Sequence, residues 1–470
     1  MSYRLVRHPL RRLYSLFPFF LAAGLAFLLL YPPPSGWDFD NTFTALKTLR
    51  GQGVAEVWEG IGKGDAHPPG YYLLYKAWMA LGGYDPLPPG VPEGAIRWGL
   101  TFNLLGFALM AGAVALAGAY LLGLWGSLLA LGLLFLFADA PYASLLRMYP
   151  FAGALAVLSA LAYLTRRPLL GSLLGVLGLY THYLAGVAVA PFALLALWEG
   201  WRERGPRVAL AFLPYLLFLP WVPMLAYQVS HGYNFPHIRP VPESLFLYVR
   251  DKWPEGVLYP LLLLGLLAAW RIPKTRRILL PTLASLYLWF YLSLLVNVVL
   301  SRYVFLFAGL ISLALASGVS LLPPWGRRVV ALVVLVPALL TLHSQRALLP
   351  WEDITAQARI TRSFLVALEG ARLYLDGRGR ADPFRLHLPG FEGRVVVLDW
   401  LGATELCGAG KPFLLWRYHN YRPEESPVQR VLECLGGRVR VLHPTPVGTL
   451  YLYVPEGYQS TSVATRNRQR

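Results

Sequence analysis

Charge is what this sequence lacks most. Only 14% of its 470 residues are charged and 56% are hydrophobic, whereas a soluble domain carries about 25% charged residues. A water-soluble globular protein is thereby excluded, and a polytopic membrane protein is the class that remains. Acid is scarcer than base, with 25 Asp and Glu against 42 Lys and Arg, for a net charge of +17. That excess does not call for nucleic acid. The basic residues sit in short loops between apolar runs, which is the signature of the positive-inside rule. Cysteine is nearly absent too. Cys407 and Cys434 are too few for a disulfide scaffold, which leaves one bridge or two free thiols open. No GxxxxGK[ST] loop and no GxGxxG after a strand occurs. The cytoplasmic loops are also too short to fold a nucleotide-binding domain. A pump driven by ATP and an enzyme using a cytoplasmic nucleotide-sugar are therefore disfavoured, and no repeat or low-complexity segment is present.

What the chain does have is eleven apolar runs, near 13–31, 98–120, 124–138, 149–165, 169–182, 184–199, 208–226, 256–270, 278–300, 303–322 and 329–346. A spanning helix needs roughly 20 apolar residues. The basic stretch Met1 to Arg12 precedes the first run, and Pro32-Pro33-Pro34 follows it in place of a small-residue cleavage site. This predicts an uncleaved signal anchor. With the N-terminus inside, Arg166 and Arg167, then Arg202, Arg204 and Arg207, then Arg271, Lys274, Arg276 and Arg277, then Arg327 and Arg328 all fall on the cytoplasmic side. The same assignment puts 32–97, 139–148, 227–255 and everything after 346 outside.

The expected fold is mainly α. It is a multi-pass helical protein of the plasma (inner) membrane, about eleven transmembrane helices over 1–346 with an outer loop at 32–97. A small α/β extracytoplasmic domain occupies 347–470. In that domain an amphipathic helix opens at Pro350 and runs to about Leu368. Strand-like runs follow at Ala371–Leu375, Arg394–Leu398, Phe413–Tyr418, Arg438–Leu442 and Thr449–Val454. A helix over Val428–Leu435 interrupts them, and the polar tail Gln459–Arg470 reads as disordered.

The polar residues able to do chemistry gather on the outer side. Asp38 and Asp40 closely follow the first span, where a partly desolvated carboxylate can act as a general base toward a hydroxyl; an acidic helix cap is the ordinary alternative. In His67-Pro68-Pro69-Gly70-Tyr71-Tyr72 two prolines stiffen the approach and hold a histidine at the membrane surface, suited to contact a phosphate. Arg147-Met148-Tyr149 and Arg302-Tyr303 each open a span from outside, against the positive-inside bias, so each arginine needs a partner. A lipid-linked phosphate is one such partner, and snorkelling to ordinary headgroups is another. His182 lies between two short spans on the same side. Singly each has a structural explanation, whereas structural residues would scatter over both faces.

In their order, Asp40-Asn41, His67-Pro68-Pro69-Gly70-Tyr71-Tyr72, Ala95-Ile96-Arg97, Ser144-Leu145-Leu146-Arg147-Met148-Tyr149, Tyr180-Thr181-His182-Tyr183, Leu219-Pro220-Trp221 and Arg302-Tyr303 resemble the bacterial branch of glycosyltransferase family 39. These are the protein O-mannosyltransferases and aminoarabinose-lipid A transferases of the GT-C superfamily. The resemblance covers about residues 10–350. It implies a polyprenyl-phosphate-linked sugar as donor, transferred with inversion to an acceptor hydroxyl of a protein, lipid or glycan. It implies Asp40 as base with Asp38 in reserve, His67 on the donor phosphate, Arg147 and Arg302 as fixed positive charge, and His182 nearby. Tyr71, Tyr149 and Tyr183 are the implied walls for sugar or isoprenoid. Two acids of the family pattern are replaced, by Asn41 and Leu145, which points to a metal-independent site with no cofactor; Asp139 is the nearest substitute carboxylate. A flippase of lipid-linked sugars, a polyprenyl-linked glycan ligase and a structural membrane subunit are the competing readings.

Overall fold

The structure is a computed structural model that describes residues 9–31, 37, 39–137, 147–231, 255–296, 303–345, 354–368, 370–376, 378–418, 426–444 and 448–456. In chain order its first helices are α1 Pro9–Leu30, α2 Phe39–Thr48, α3 Val54–Gly64, α4 Gly70–Leu81, α5 Glu93–Phe137, α6 Tyr149–Leu164, α7 Pro168–Thr181 and α8 Tyr183–Arg204. A 3₁₀ helix, Gly205–Trp221, leads into α9 Val222–Ser230, then α10 Glu255–Arg271, α11 Pro273–Val296, α12 Val304–Ser317 and α13 Pro324–Gln345. The remainder runs α14 Ile354–Ala367, β1 Leu373–Asp376, α15 Arg378–His387, β2 Val395–Leu398, α16 Trp400–Leu406, β3 Phe413–Tyr418, α17 Pro427–Leu435, β4 Val439–Pro444 and β5 Gly448–Tyr453.

Two compact units result. Met1–Pro33, Gly53–Tyr75 and Thr101–Leu348 form the first; Pro34–Gln52, Lys76–Leu100 and Leu349–Arg470 form the second. The first is an apolar helical bundle. All fourteen residues of α12 are buried, as befits a helix that is hydrophobic all round. Around it pack α6, α10 and α11, and α6 in turn packs on α7 and α8. The buried face of α6 is mostly small residues, five Ala with Gly153 and Ser159, so neighbouring helices approach closely. At Gly123 the backbone turns left-handed, φ +77°, and breaks α5 in two, at the point where the sequence separates its second and third apolar runs.

By length and composition five of the described helices are able to cross a membrane: Glu93–Phe137, Tyr183–Glu203, Gly205–Ser230, Val304–Leu321 and Pro324–Ser344. Shorter apolar helices are Leu16–Leu30, Tyr149–Leu164, Pro168–Thr181 and Leu258–Arg271. The expected eleven included several runs below the roughly 20 residues that a bilayer requires. Trp198, Trp201, Trp270 and Trp325 are exposed beside the basic loops. There Arg202 lies over Trp198 at 5.0 Å and Arg328 over Trp125 at 5.7 Å, the aromatic and cationic anchoring expected at a membrane–water interface.

The second unit is built on a five-stranded sheet of order β2-β1-β3-β5-β4, parallel from β2 to β3 and antiparallel beyond. Its central strand buries both faces, because Leu414 and Trp416 enter one core while Phe413 and Leu415 enter the other. The first core is closed by α14 and α15, the second by α16 and α17. Cys407 and Cys434 form a disulfide across α16 and α17, Cα–Cα 5.8 Å. Asp376, at the end of β1, is buried and accepts from Ser426 Oγ at 2.9 Å and Val428 N at 3.2 Å. It thereby places a carboxylate at the positive end of α17.

All five strands coincide with expected runs. Helices α15 and α16 were not expected, since Arg378-Gly379-Arg380 and an internal Pro383 argue against a helix locally and the core overrides them. The grouping of residues also differs from a boundary at 346, because 34–52 and 76–100 pack with the chain beyond 349. Trp37 is wholly buried there, and Phe43 lies against the first core of the sheet.

His387, at the end of α15, is buried beside Thr42, whose hydroxyl is 3.3 Å from its Nε2. Burial pushes its pKa down to about 4 from the usual 6.5. Folded protein thus binds the proton less readily than unfolded chain, so the stability is complete above pH 6.5 and is lost as pH falls toward 4. At 1.36 kcal/mol per pKa unit the loss is about 3 kcal/mol by pH 4. We predict faster intrinsic-rate-corrected hydrogen exchange in peptides of this unit at pH 4 than at pH 7, and a flatter pH response in His387→Gln. An unchanged response in that variant would assign the acid sensitivity elsewhere.

Candidate active site

The sequence between α3 and α4 is what builds the site. A glutamate three residues after Gly53 starts α3, Glu56 Oε2 accepting from Gly53 N at 2.9 Å. The helix stops at Gly64, and Asp65 follows with extended backbone. Pro68 and Pro69 then prevent helix until Gly70, where α4 begins. Gly70 is there for space: a Cβ at this position would stand 2.4 Å from the carbonyl oxygen of Tyr180. That close approach seats the His67 loop against the turn between α7 and α8, where His182 lies.

Asp65, His67, Tyr72, Arg147, Tyr149, His182 and Tyr303 are all buried here. Asp65 Oδ1 is 2.6 Å from His67 Nδ1, and its Oδ2 accepts from the Tyr72 hydroxyl at 2.8 Å. Arg147 Nη1 in turn donates to the Tyr72 oxygen at 3.3 Å. The four side chains form one hydrogen-bonded line from guanidinium to imidazole. Burial, and then the Asp65 carboxylate, hold the Tyr72 phenol well above its usual range, so it keeps its proton and donates. A carboxylate only accepts, so the His67 proton is on Nδ1 and the ring presents Nε2 for chemistry. His182 is the opposite case. Its Nδ1 accepts from Leu184 N at 3.1 Å and caps α8, so its proton is on Nε2. The His182 ring lies 5.1 Å from His67, 5.2 Å from Tyr149 and 5.4 Å from Tyr303. Arg147 itself has φ +29°, a conformation that costs a non-glycine residue on the order of 1–3 kcal/mol and gathers at functional sites.

Supporting residues hold this cluster from behind. Gln228 Nε2 donates to the carbonyls of Ile61 and His67 at 3.3 and 3.4 Å, and its Oε1 accepts from Tyr183 at 2.5 Å. Trp221 Nε1 donates to the Tyr183 hydroxyl at 2.7 Å. The Leu219-Pro220-Trp221 motif therefore acts on the site through Tyr183 and Gln228. Tyr71 donates to Asn103 Oδ1 at 2.6 Å and packs its ring among Tyr75, Phe102 and Phe151.

Of the residues singled out in the sequence, His67, Arg147, Tyr149 and His182 stand together, with Tyr71 on the adjoining helix face. Asp40 lies on α2 in the other unit, and its side chain is outside the described residues; Asp38, Asp139 and Arg302 are outside them altogether. Sequence reasoning missed Asp65 and Tyr72. An acid two residues before the histidine of a proline motif was the available signal for the first, and the repeated Tyr71-Tyr72 hid which of the two faces the site. Tyr303, named only beside Arg302, joins the ring cluster from the start of α12. Among the described residues no group of three or more His, Cys, Asp or Glu is placed to hold a metal ion.

No family model and no curated protein matches the chain. Among solved structures the chain is similar to ArnT from Cupriavidus metallidurans in the apo state, at 14% identity over 94% of this chain and 98% of that one, TM-score 0.48. It is likewise similar to ArnT from the same organism bound to undecaprenyl phosphate, at 14% identity over 95% and 99%, TM-score 0.49.

The close approach at Gly70 gives a test. Gly70→Ala forces a side chain against backbone, and overpacking of this kind costs typically 1–3 kcal/mol. Thermal unfolding of the purified protein should shift downward accordingly. Gly60→Ala, at an exposed position of α3 with open space for a Cβ, should instead raise stability by about 0.5–1 kcal/mol.

Proposed function

We propose that this protein is a membrane glycosyltransferase of the GT-C type that takes a sugar from a polyprenyl-phosphate donor and places it on an acceptor hydroxyl outside the cytoplasm. The observation that carries the proposal is the buried line Arg147–Tyr72–Asp65–His67 with His182 beside it. It is an ionisable cluster inside a unit of apolar helices, where such groups are costly and mark function. The motif order given above supplies the reaction class.

Arg147 and His67 are the groups for the donor phosphate, the first as a guanidinium able to pair with phosphate oxygens. Positive charge held in a poorly hydrated place acts strongly on charge that develops in the transition state. The acceptor oxygen attacks the anomeric carbon as the bond from that carbon to the phosphate oxygen breaks. The phosphate leaves with the electron pair, the acceptor proton passes to the Asp40 carboxylate, and the sugar is inverted. Tyr149 and Tyr303 are the aromatic surfaces nearest the histidines. The disulfide between Cys407 and Cys434 accords with an oxidising compartment for the C-terminal half.

The experiment is to incubate the purified protein with a panel of polyprenyl-phosphate monosaccharides and measure which one is consumed. Undecaprenyl phosphate, the lipid bound by the ArnT of C. metallidurans, serves as the sugar-free binding probe. We expect Arg147→Ala and His67→Ala to weaken binding of that probe. Asp40→Asn should slow transfer about 10²–10⁴-fold, the usual cost of losing a general base, while leaving the probe bound. Movement of intact lipid-linked sugar between leaflets, with no donor consumed, would replace this reading with a flippase.

A further inference from the structure

The short helix α2, which carries Asp40, belongs to the second unit, and three separate grips hold it there, two of them from the C-terminal half of the chain. Before Asp40, Trp37 is fully buried, and its peptide is paired to the start of α14, with Ile354 N donating to Trp37 O at 3.0 Å and Trp37 N to Thr355 Oγ1 at 3.1 Å. Its indole N–H donates to Ile96 O at 3.2 Å. After Asp40, Thr42 meets His387 at 3.3 Å and Phe43 lies on the sheet's first core. At the far end Lys76 Nζ donates to Thr48 O at 3.0 Å and Leu87 N to Leu49 O at 2.8 Å. A helix of ten residues is marginal by itself in water, where isolated helices below about 12–15 residues scarcely form. Its place and orientation therefore come from these contacts.

We propose that the C-terminal α/β unit is the mount of α2, and that His387 is a positioning residue acting on the reaction through Asp40. The proposal rests on the reading of Asp40 as the base. It gives the C-terminal unit a role distinct from recognition of the acceptor. A mount affects the rate at which bound donor reacts, whereas an acceptor-binding domain affects the acceptor concentration needed. His387 suits the task because burial keeps its ring neutral, so Thr42 meets a neutral hydrogen-bonding partner and not a cation.

The test uses the full chain in lipid nanodiscs and compares His387→Ala, His387→Gln, Thr42→Val, Leu435→Ala and Asp40→Asn. Leu435→Ala opens the core on the other face of the sheet, so it weakens the same unit without touching α2. Readouts are turnover at saturating donor, affinity for undecaprenyl phosphate, and hydrogen exchange of residues 39–48. We expect His387→Ala and Thr42→Val to lower turnover by about tenfold to 10²-fold, the scale on which a misplaced catalytic group acts. The affinity for undecaprenyl phosphate should stay unchanged and exchange in 39–48 should quicken. His387→Gln, whose amide can still meet Thr42, should recover most of the turnover, and Leu435→Ala should retain it. Normal turnover in His387→Ala beside a dead Asp40→Asn overturns the mount and leaves the base assignment standing. An equal loss in Leu435→Ala overturns it in favour of general destabilisation. Full turnover in Asp40→Asn removes the base assignment, and the mount with it.

Discussion

The site depends on one buried carboxylate. Asp65 is nearly inaccessible, yet it engages His67, the Tyr72 hydroxyl and the backbone N–H of Ala66, the last at 2.7 Å. An ionised carboxylate without such partners would pay several kcal/mol for leaving water. Here the partners are the functional candidates themselves, so the same contacts that make the charge tolerable also set the orientation of the imidazole and the phenol. Arg147 completes the line at its other end and brings the opposite charge. Removing one member takes a partner from its neighbours, and members of a network of this kind strengthen one another.

The helices meet this requirement by their ends. Arg147 immediately precedes α6, His182 joins α7 to α8, Tyr303 opens α12, and Asp65 with His67 fills the turn between α3 and α4. Arg147 by positive φ, His182 by its cap and the Asp65–His67 turn by proline are each held in a non-helical stretch, while the apolar bodies of the helices pack behind. Ionisable side chains thus sit where backbone geometry can aim them.

Much of this was legible in the sequence, and the failures have physical causes. The apolar runs located the helices because burial in lipid or in a bundle demands them. The five strands showed themselves as short β-branched and aromatic runs. His67, Arg147, Tyr149 and His182, which the structure brings together, stood out in the sequence because polar residues at one rim of an apolar sequence are conspicuous. Asp65 escaped because it lies just past an amphipathic helix, where a carboxylate looks like an ordinary solvated end. Helices α15 and α16 escaped because their stability comes from Phe384, Leu388, Ala403 and Leu406 entering the two cores, a tertiary fact. The packing of 34–52 with the C-terminal sheet escaped for the same reason: Trp37 and Phe43 in a polar loop announce burial without naming the partner.

The distribution of polar groups inside the bundle also bears on mechanism. Along the helix bodies several buried polar side chains are neutral hydroxyls that donate to nearby carbonyls: Ser159 to Gly171, Ser285 to Ala188, Thr282 to Ile278, Ser127 to Ala115. The first two of these fasten one helix to another, and none carries charge. A transporter moving a charged lipid through this unit would need ionisable or unwound segments partway along the helices. Among the described residues the charged members of the cluster stand in turns at helix ends. On the proposed reading, charge held in fixed turns is suited to keeping a donor phosphate in place while its bond to the sugar breaks.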